Sequence, residues 1–202
     1  MKKLGRTLLL PLLAVMLLTS LLLILPLGDE SEVYDKVIRL HVLANSDSEK
    51  DQALKLKVRD ALLSEAAAAT EDCRNREEAE LALAAKTDTL RLIAEETLRE
   101  NGCTKPVTVT IGQEVYPTRD YEGLRLPAGE YCSLRVMIGE AEGQNWWCVL
   151  FPPLCVGSAS EAEEEMISAG FTPGQIKILT DSENPRYVLK FKILEILGSL
   201  FS

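Results

Sequence analysis

This sequence has little histidine, few aromatic side chains and no excess of basic charge. Its 202 residues include one histidine and two tryptophans, and aromatic residues make up 5% of the chain. With 31 acidic against 22 basic residues, the formal net charge is −9, a balance that repels nucleic acid and anionic lipid. Protein classes that depend on a basic surface are therefore excluded.

The short motifs of common catalytic and cofactor sites are also missing. The glycines form neither G-x-G-x-x-G nor a phosphate-binding loop, and no cysteine pair has zinc-finger spacing. The acidic run at residues 163–165 lacks the central glycine of a calcium loop and is typical of a solvated helix face. The sequence predicts no cofactor, no metal and no enzyme active site.

Hydrophobic residues nevertheless make up 47% of the chain, and a long run of them lies at the N-terminus. Lys2, Lys3 and Arg6 precede an apolar stretch over residues 8–25, the order of an export signal. As a helix this stretch would cover about 27 Å of a roughly 30 Å hydrocarbon layer, so an anchor over residues 4–27 is the alternative to cleavage near Gly28. We predict a signal or anchor over residues 1–28, followed by one domain over residues 29–202.

The remaining patterns predict an α+β domain, with helices packed on an antiparallel or mixed sheet. Strands are predicted at residues 37–43, 106–111, 131–138 and 145–151, with the last two forming an antiparallel hairpin. Alternation in the first strand predicts that only one of its faces is buried. Helices are predicted at residues 47–69, 79–98, 161–169 and 185–200, and an irregular arm at residues 114–131.

Polar residues at the end of the first strand are predicted to shape a structural corner through capping and polar contacts: Arg39, His41, Asn45 and Asp47. Ser46 and Glu49 have the spacing of a capping box at the start of the first helix. A single histidine on a strand is typically a hydrogen-bonded structural group. We therefore predict that the corner carries no reaction.

Residues 145–155, NWWCVLFPPLC, contain both tryptophans, a Pro-Pro turn and two cysteines. Because consecutive strand residues point to opposite faces, one indole should enter the core while the other faces solvent, where a large aromatic usually marks a binding surface. We predict a partner-binding surface made of Trp146, Trp147, Phe151, Pro152 and Pro153. The alternative is a buried strand whose second tryptophan only caps the core.

Five cysteines behind an export signal are consistent with disulfide formation. The turn at Pro152 and Pro153 can bring the chain back on itself, so we predict a bridge between Cys148 and Cys155. The alternative is that all five cysteines are small buried apolar residues.

Cys148 also permits a second hypothesis, a thiol-dependent hydrolase in which His41 is the base and Asn45 orients it. Against this hypothesis, Cys148 shares a strand face with Trp146 and Leu150. Apolar surroundings of this kind raise the pKa of a thiol instead of lowering it.

Two long blocks resemble the stage II sporulation protein R family of endospore-forming bacteria: residues 38–63, IRLHVLANSDSEKDQALKLKVRDALL, and residues 126–155, LPAGEYCSLRVMIGEAEGQNWWCVLFPPLC. Cys73, Cys103 and Cys132 depart from the family's motifs, which leaves Cys148 and Cys155 as the bridge candidates.

The resemblance implies a signalling protein, exported from the forespore into the space between the two septal membranes. It also implies a partner, a membrane-embedded aspartic protease that removes the pro-sequence of sigma-E. An anchored envelope scaffold is the remaining alternative, and it requires that the N-terminal segment is retained.

Overall fold

The structure is a computed structural model that describes Met16 and residues 33–121, 123–154 and 159–180. Apart from Met16, the predicted signal or anchor lies outside these residues, and so does the predicted helix at 185–200. The described residues form one α+β domain with a four-stranded mixed sheet, a two-stranded hairpin and five helices. The predicted fold class is confirmed for this part of the chain.

The elements follow one another as β1 (Ile38–Leu43), α1 (Glu49–Thr70), α2 (Arg76–Ala85), α3 (Thr87–Glu100), β2 (Val107–Tyr116), β3 (Arg119–Tyr121), β4 (Leu124–Leu126), β5 (Gly129–Ile138), β6 (Asn145–Phe151), α4 (Ala159–Ser168) and α5 (Pro173–Thr180). The four-stranded sheet has the order β2-β5-β1-β6, and β3 pairs with β4 in a separate hairpin. β1 runs parallel to β5 and antiparallel to β6.

The predicted hairpin between β5 and β6 is wrong, because β1 lies between these two strands. Leu40 of β1 is opposite Leu134 of β5 on one side and Cys148 of β6 on the other. Two alternating runs and a short polar loop indicate two strands, but they do not reveal whether a strand from elsewhere in the chain inserts between them.

The central position of β1 also buries both of its faces, where the alternation predicted one. All six residues of the strand are buried, including Arg39, which is fully buried, and His41, which is 6% exposed. Leu40 and Val42 lie on the face covered by the helices, while Arg39 and His41 lie on the opposite face.

The helices on the first face bury apolar stripes with helical spacing. In α1 the stripe is Leu54, Val58, Leu62 and Ala66, and in α3 it is Leu90, Ala94 and Leu98. The predicted helix at residues 79–98 is two helices, because Lys86 leaves the helical conformation at φ −103° and ψ 0°. Neither glycine nor proline occurs there to signal the break.

Helix α1 begins two residues later than predicted, and Ser48 is its N-cap. The Ser48 hydroxyl accepts a hydrogen bond from the backbone N–H of Asp51 at 3.2 Å. Ser46 instead donates its hydroxyl to the Asp51 carboxylate at 2.6 Å. The predicted capping box of Ser46 and Glu49 is therefore wrong, since three capping residues compete here and the loop geometry decides among them.

The predicted arm is shorter and more regular than its composition indicated. β2 continues to Tyr116 and β5 already begins at Gly129, and the intervening residues form the β3–β4 hairpin. Tyr121 of this hairpin reaches back to Arg39 of β1, so the hairpin covers the face of the sheet opposite α1, α2 and α3. Helix α4 lies close to its predicted position, and α5 was not predicted.

Candidate functional site

The two tryptophans lie on opposite faces of β6, but neither is simply buried or exposed. Both are half-buried, and an arginine covers each indole. The Arg59 guanidinium lies 4.7 Å from the ring centroid of Trp146, and that of Arg119 lies 3.8 Å from the ring centroid of Trp147. The opposite orientations are as predicted, whereas the expectation of one core indole and one solvent-facing indole is wrong. Cationic side chains from α1 and β3 take the place of solvent over the rings.

The rest of the predicted partner-binding surface lies elsewhere and is mostly buried. Phe151 and Pro152 are buried, and Pro153 is exposed. With the C-terminal end of α1 and residues of α4, they line a cavity of about 360 Å³. The peptide bond between Phe151 and Pro152 is cis. Five residues that are close in sequence are thus distributed over both faces of β6 and a separate cavity.

Of the four predicted corner residues, only Asn45 and Asp47 lie at the corner. The Asn45 side chain donates to the Asp51 carboxylate at 2.7 Å and accepts from the backbone N–H of Glu140 at 3.2 Å. The Asp47 carboxylate accepts from the backbone N–H of Gln144 at 2.7 Å. These contacts of Asn45 and Asp47 join the loop between β5 and β6 to the start of α1.

Gly143 of this corner has no room for a side chain. A Cβ atom at Gly143 would collide with the backbone carbonyl of Ser46, because the two loops pass in close contact. The corner therefore fixes where β6 begins and, with it, where the tryptophans stand.

Arg39 and His41, the other two predicted corner residues, belong to a polar cluster in the middle of the sheet. We call this cluster the polar face, and it comprises Arg39, His41, Glu114, Tyr116, Ser133 and Trp147. It lies between the sheet and the β3–β4 hairpin, on the side away from α1 and α3.

Glu114 is the centre of the polar face. Its carboxylate accepts hydrogen bonds from the Nδ1 atom of His41 at 2.7 Å, the hydroxyl of Ser133 at 2.9 Å and the hydroxyl of Tyr116 at 3.0 Å. The Nε2 atom of His41 lies 2.9 Å from the Oδ1 atom of Asn145 at the start of β6. Both ring nitrogens of His41 therefore face side-chain oxygen atoms.

The environment of Glu114 favours its ionised form. Burial raises the pKa of this carboxyl, but the Ser133 hydrogen bond and the nearby His41 more than offset burial, so the pKa lies below its ordinary value. Burial also raises the pKa of Tyr116 well above its ordinary range. At neutral pH the centre of the cluster is a carboxylate that accepts bonds from groups holding their protons.

Arg39 is a buried cation with little conventional compensation. Its Nη2 atom donates to the hydroxyl of Tyr121 at 2.6 Å. Its guanidinium lies 3.9 Å from the ring centroid of Tyr116 and 5.0 Å from that of Tyr131. Among the described residues, Nε and Nη1 of Arg39 have no hydrogen-bond partner. A buried charge held mainly by aromatic rings costs stability, which makes this part of the polar face a candidate for function.

The thiol hypothesis conflicts with the geometry. Cys148 is opposite Leu40 and therefore lies on the helix-covered face, whereas His41 is opposite Trp147 and lies on the polar face. His41 is also occupied by Glu114 and Asn145, and Asn45 lies at the corner. The described residues do not bring these three groups together.

The described cysteines are of two kinds. Cys73, Cys103 and Cys132 are free, and burial raises the pKa of Cys132 to about 11, which makes its thiol unreactive. Cys148 is not among these free cysteines. Cys155 lies outside the described residues, so the pairing of Cys148 with Cys155 stays a prediction.

Sequence reasoning missed Glu114, Tyr116 and Ser133 as site residues. A signal for Glu114 was present, because the alternation of β2 continues past residue 111 and places Thr110 and Glu114 on one face. The proline and glycine residues farther along the chain outweighed that signal and led to the prediction of an irregular arm.

A sequence model of the stage II sporulation protein R family matches residues 34–161. The chain belongs to this family. It is 40% identical to stage II sporulation protein R of Bacillus subtilis (strain 168) over 129 residues, which are 64% of this chain and 58% of that relative. The chain thus matches somewhat more than half the length of the relative. No solved structure matches the chain.

The residues that match the stage II sporulation protein R family include the whole polar face, the corner and both tryptophans. Within the described ranges, no group of histidine, cysteine and acidic side chains could hold a metal ion. In that same part of the chain, none of the helices is both long and apolar enough to span a bilayer.

Proposed function

We propose that this chain is an exported signalling protein of sporulation, which activates a membrane-embedded aspartic protease that converts pro-sigma-E to sigma-E. Membership of the stage II sporulation protein R family, over residues 34–161, carries this proposal. The protein acts by binding and catalyses no reaction itself. Its net charge of −9 suits a protein that meets its partner without adhering to nucleic acid or anionic lipid.

The protein reaches its partner from the forespore side, in the space between the two septal membranes. Residues 1–28 direct export, and they are either removed near Gly28 or kept as a single span over residues 4–27. Sequencing the N-terminus of the protein isolated from sporulating cells distinguishes the two forms. An intact N-terminus would favour an anchored protein that signals from the membrane surface.

We propose that the protease binds beside Trp147, on the side of the domain that carries the β3–β4 hairpin. Unpaired hydrogen-bond donors concentrate there. Among the described residues, four buried donors there have no acceptor: the indole N–H of Trp147, Nε of Arg119, and Nε and Nη1 of Arg39. Such donors are normally satisfied, so acceptors from a partner that displaces the hairpin would lower the free energy of the bound state.

Complementation tests the proposal directly. A Bacillus subtilis strain that lacks its own stage II sporulation protein R would express this chain, and an immunoblot would follow the conversion of pro-sigma-E to sigma-E. We expect conversion to be restored. If the secreted and folded chain leaves pro-sigma-E unprocessed, the proposed function is wrong for this chain or requires residues of the host's protease that differ.

Single substitutions then locate the binding surface. We expect Trp147→Ala to abolish processing, since aromatic anchors often contribute about 2 kcal/mol or more to binding. Leu81→Ala is the matched control, because Leu81 is 72% exposed on α2, away from the hairpin. Normal processing by a folded Trp147→Ala protein would exclude this surface and leave Pro153, which is exposed beside the cavity of α1 and α4, as the next position to test.

A further inference from the structure

Strand β2 is an open edge of the sheet. Among the described residues, it is the first strand in the order β2-β5-β1-β6 and pairs with β5 alone. It spans ten residues, Val107–Tyr116, without a proline, a lysine or a bulge to block a further strand. Such edges readily pair with another strand, and natural proteins usually protect them.

The register of β2 shows which backbone groups point away from the sheet. The backbone N–H of Gly139 donates to the carbonyl of Pro106 at 2.9 Å, so the backbone groups of Pro106 face β5. In an antiparallel pair these directions alternate along the strand. The groups that point outward therefore belong to Val107, Val109, Ile111, Gln113 and Val115.

The two ends of this edge have complementary shapes. At the C-terminal end, Val115 is 76% exposed, which is unusual for an apolar side chain on a strand. At the N-terminal end, a cavity of about 710 Å³ lies between α3 and the segment that enters β2. Its lining combines apolar residues, Leu92, Ile93, Cys103 and Pro106, with charged ones, Glu95, Glu96, Arg99 and Lys105. Leu92 is itself 56% exposed beside this cavity.

We propose that β2 is the interface at which a second copy of this chain binds, with the two β2 strands antiparallel and a two-fold axis at Ile111. This register pairs all five outward-facing residues at once. It places Val115 opposite Val107 of the second copy, next to that copy's cavity at Pro106. The same edge thus presents an apolar projection at one end and a recess with an apolar part, at Leu92 and Pro106, at the other, as an isologous interface requires.

The charges along the strand permit this register. Glu114 is the one charged residue of β2, and it faces Thr108 of the second copy instead of another carboxylate. The net charge of −9 on each copy opposes association over longer distances. Because salt screens that repulsion, we expect the dimer to strengthen as ionic strength rises.

Sedimentation velocity over a concentration series tests the interface on the full chain, purified in the form that cells produce. We expect a dimer that dissociates on dilution, because a contact based on one strand, about 33 Å long, and its flank lies at the small end of interface sizes. Val115→Lys should make the protein monomeric. Leu81→Lys, which places the same charge on a side chain that is 72% exposed on α2, should leave the dimer unchanged.

Cysteine crosslinking tests the two-fold axis without relying on affinity. Facing residues of a hydrogen-bonded antiparallel pair lie about 5.5 Å apart, a separation that a disulfide spans. Ile111→Cys should therefore form a covalent dimer under mild oxidation. Val109→Cys should not, because its two copies would lie about 13 Å apart. The unsubstituted chain controls for the native thiols of Cys73, Cys103 and Cys132.

Three results would overturn the proposal: a monomer at every concentration and salt, equal dimerisation of the Val115→Lys and control proteins, or equal crosslinking at residues 109 and 111. The proposal does not depend on the signalling function. A monomeric chain could still restore sigma-E processing, and a dimeric chain could fail to do so.

Discussion

Replacing Glu114 by glutamine should destabilise the protein and change how its stability depends on pH. The carboxylate accepts bonds from His41, Ser133 and Tyr116, and it is 21% exposed. An amide keeps one acceptor oxygen but presents an N–H₂ group to one of these donors. Hydrogen bonds to a charged group contribute about 1.5–3 kcal/mol each, so we expect a loss of about 3 kcal/mol in the free energy of unfolding at pH 7.

The pH dependence follows from the lowered pKa of Glu114. The pKa of this carboxyl is lower in the folded protein than its ordinary value of 4.5. Its contribution to stability is therefore fully present above pH 4.5 and is lost as the pH falls through the lower, folded-state pKa. The Glu114→Gln protein has no such group to protonate, so the difference between the two proteins should shrink in acid.

Urea unfolding at a series of pH values measures both effects. Glu130→Gln is the matched control, because Glu130 is an exposed residue of the neighbouring strand β5 and its replacement should change stability by less than about 0.5 kcal/mol. If Glu114→Gln is as stable as Glu130→Gln at pH 7, the network does not stabilise the fold. If the gap between Glu114→Gln and the unsubstituted protein stays constant from pH 7 into acid, the pKa of Glu114 is not lowered in the folded state.

Three further predictions concern stability and covalent structure. Ser48→Ala should lower the free energy of unfolding by about 1 kcal/mol, because it removes the N-cap of α1, and chemical denaturation would detect a loss of that size. Trp146→Ala should destabilise the protein by about 3 kcal/mol, measured in the same way, since its indole packs under a side chain of α1 against the core. Peptide mapping under non-reducing conditions should recover Cys148 linked to Cys155, and alkylation of both thiols in the native exported protein would contradict that pairing.

The sequence was sufficient to predict what depends on local periodicity. The strand at β1, the strands at β5 and β6, and helix α1 all lie within a few residues of their predicted positions. Their patterns are long, and each buries a continuous apolar stripe, such as Leu54, Val58 and Leu62. The α+β class follows from the order of these elements, because helices packed on one face of a sheet bury both kinds of stripe.

Strand order could not be predicted, and most of the candidate site depends on it. The insertion of β1 between β5 and β6 places His41 opposite both Trp147 and Arg135. No local pattern carries that information, since the hydrophobic alternation of β1 fits an edge strand as well as a central one. Once β1 is central, its second face must also be covered, and the β3–β4 hairpin covers it with Tyr121 above Arg39.

The proposed binding surface is built by segments that are far apart in sequence. Arg119 lies over Trp147 from the hairpin, while His41 lies beside the same indole from β1 at 5.5 Å between ring centroids. The corner fixes the start of β6, because Asp47 bonds to the backbone of the loop before it. Strand β6 and the corner hold Trp147 in place whether or not the hairpin is displaced, so this indole loses little conformational entropy when a partner binds. Because the corner positions the indole without touching the proposed binding site, loss of signalling on substitution of Asp47 would reflect the displacement of Trp147 and not the loss of a contact with the protease.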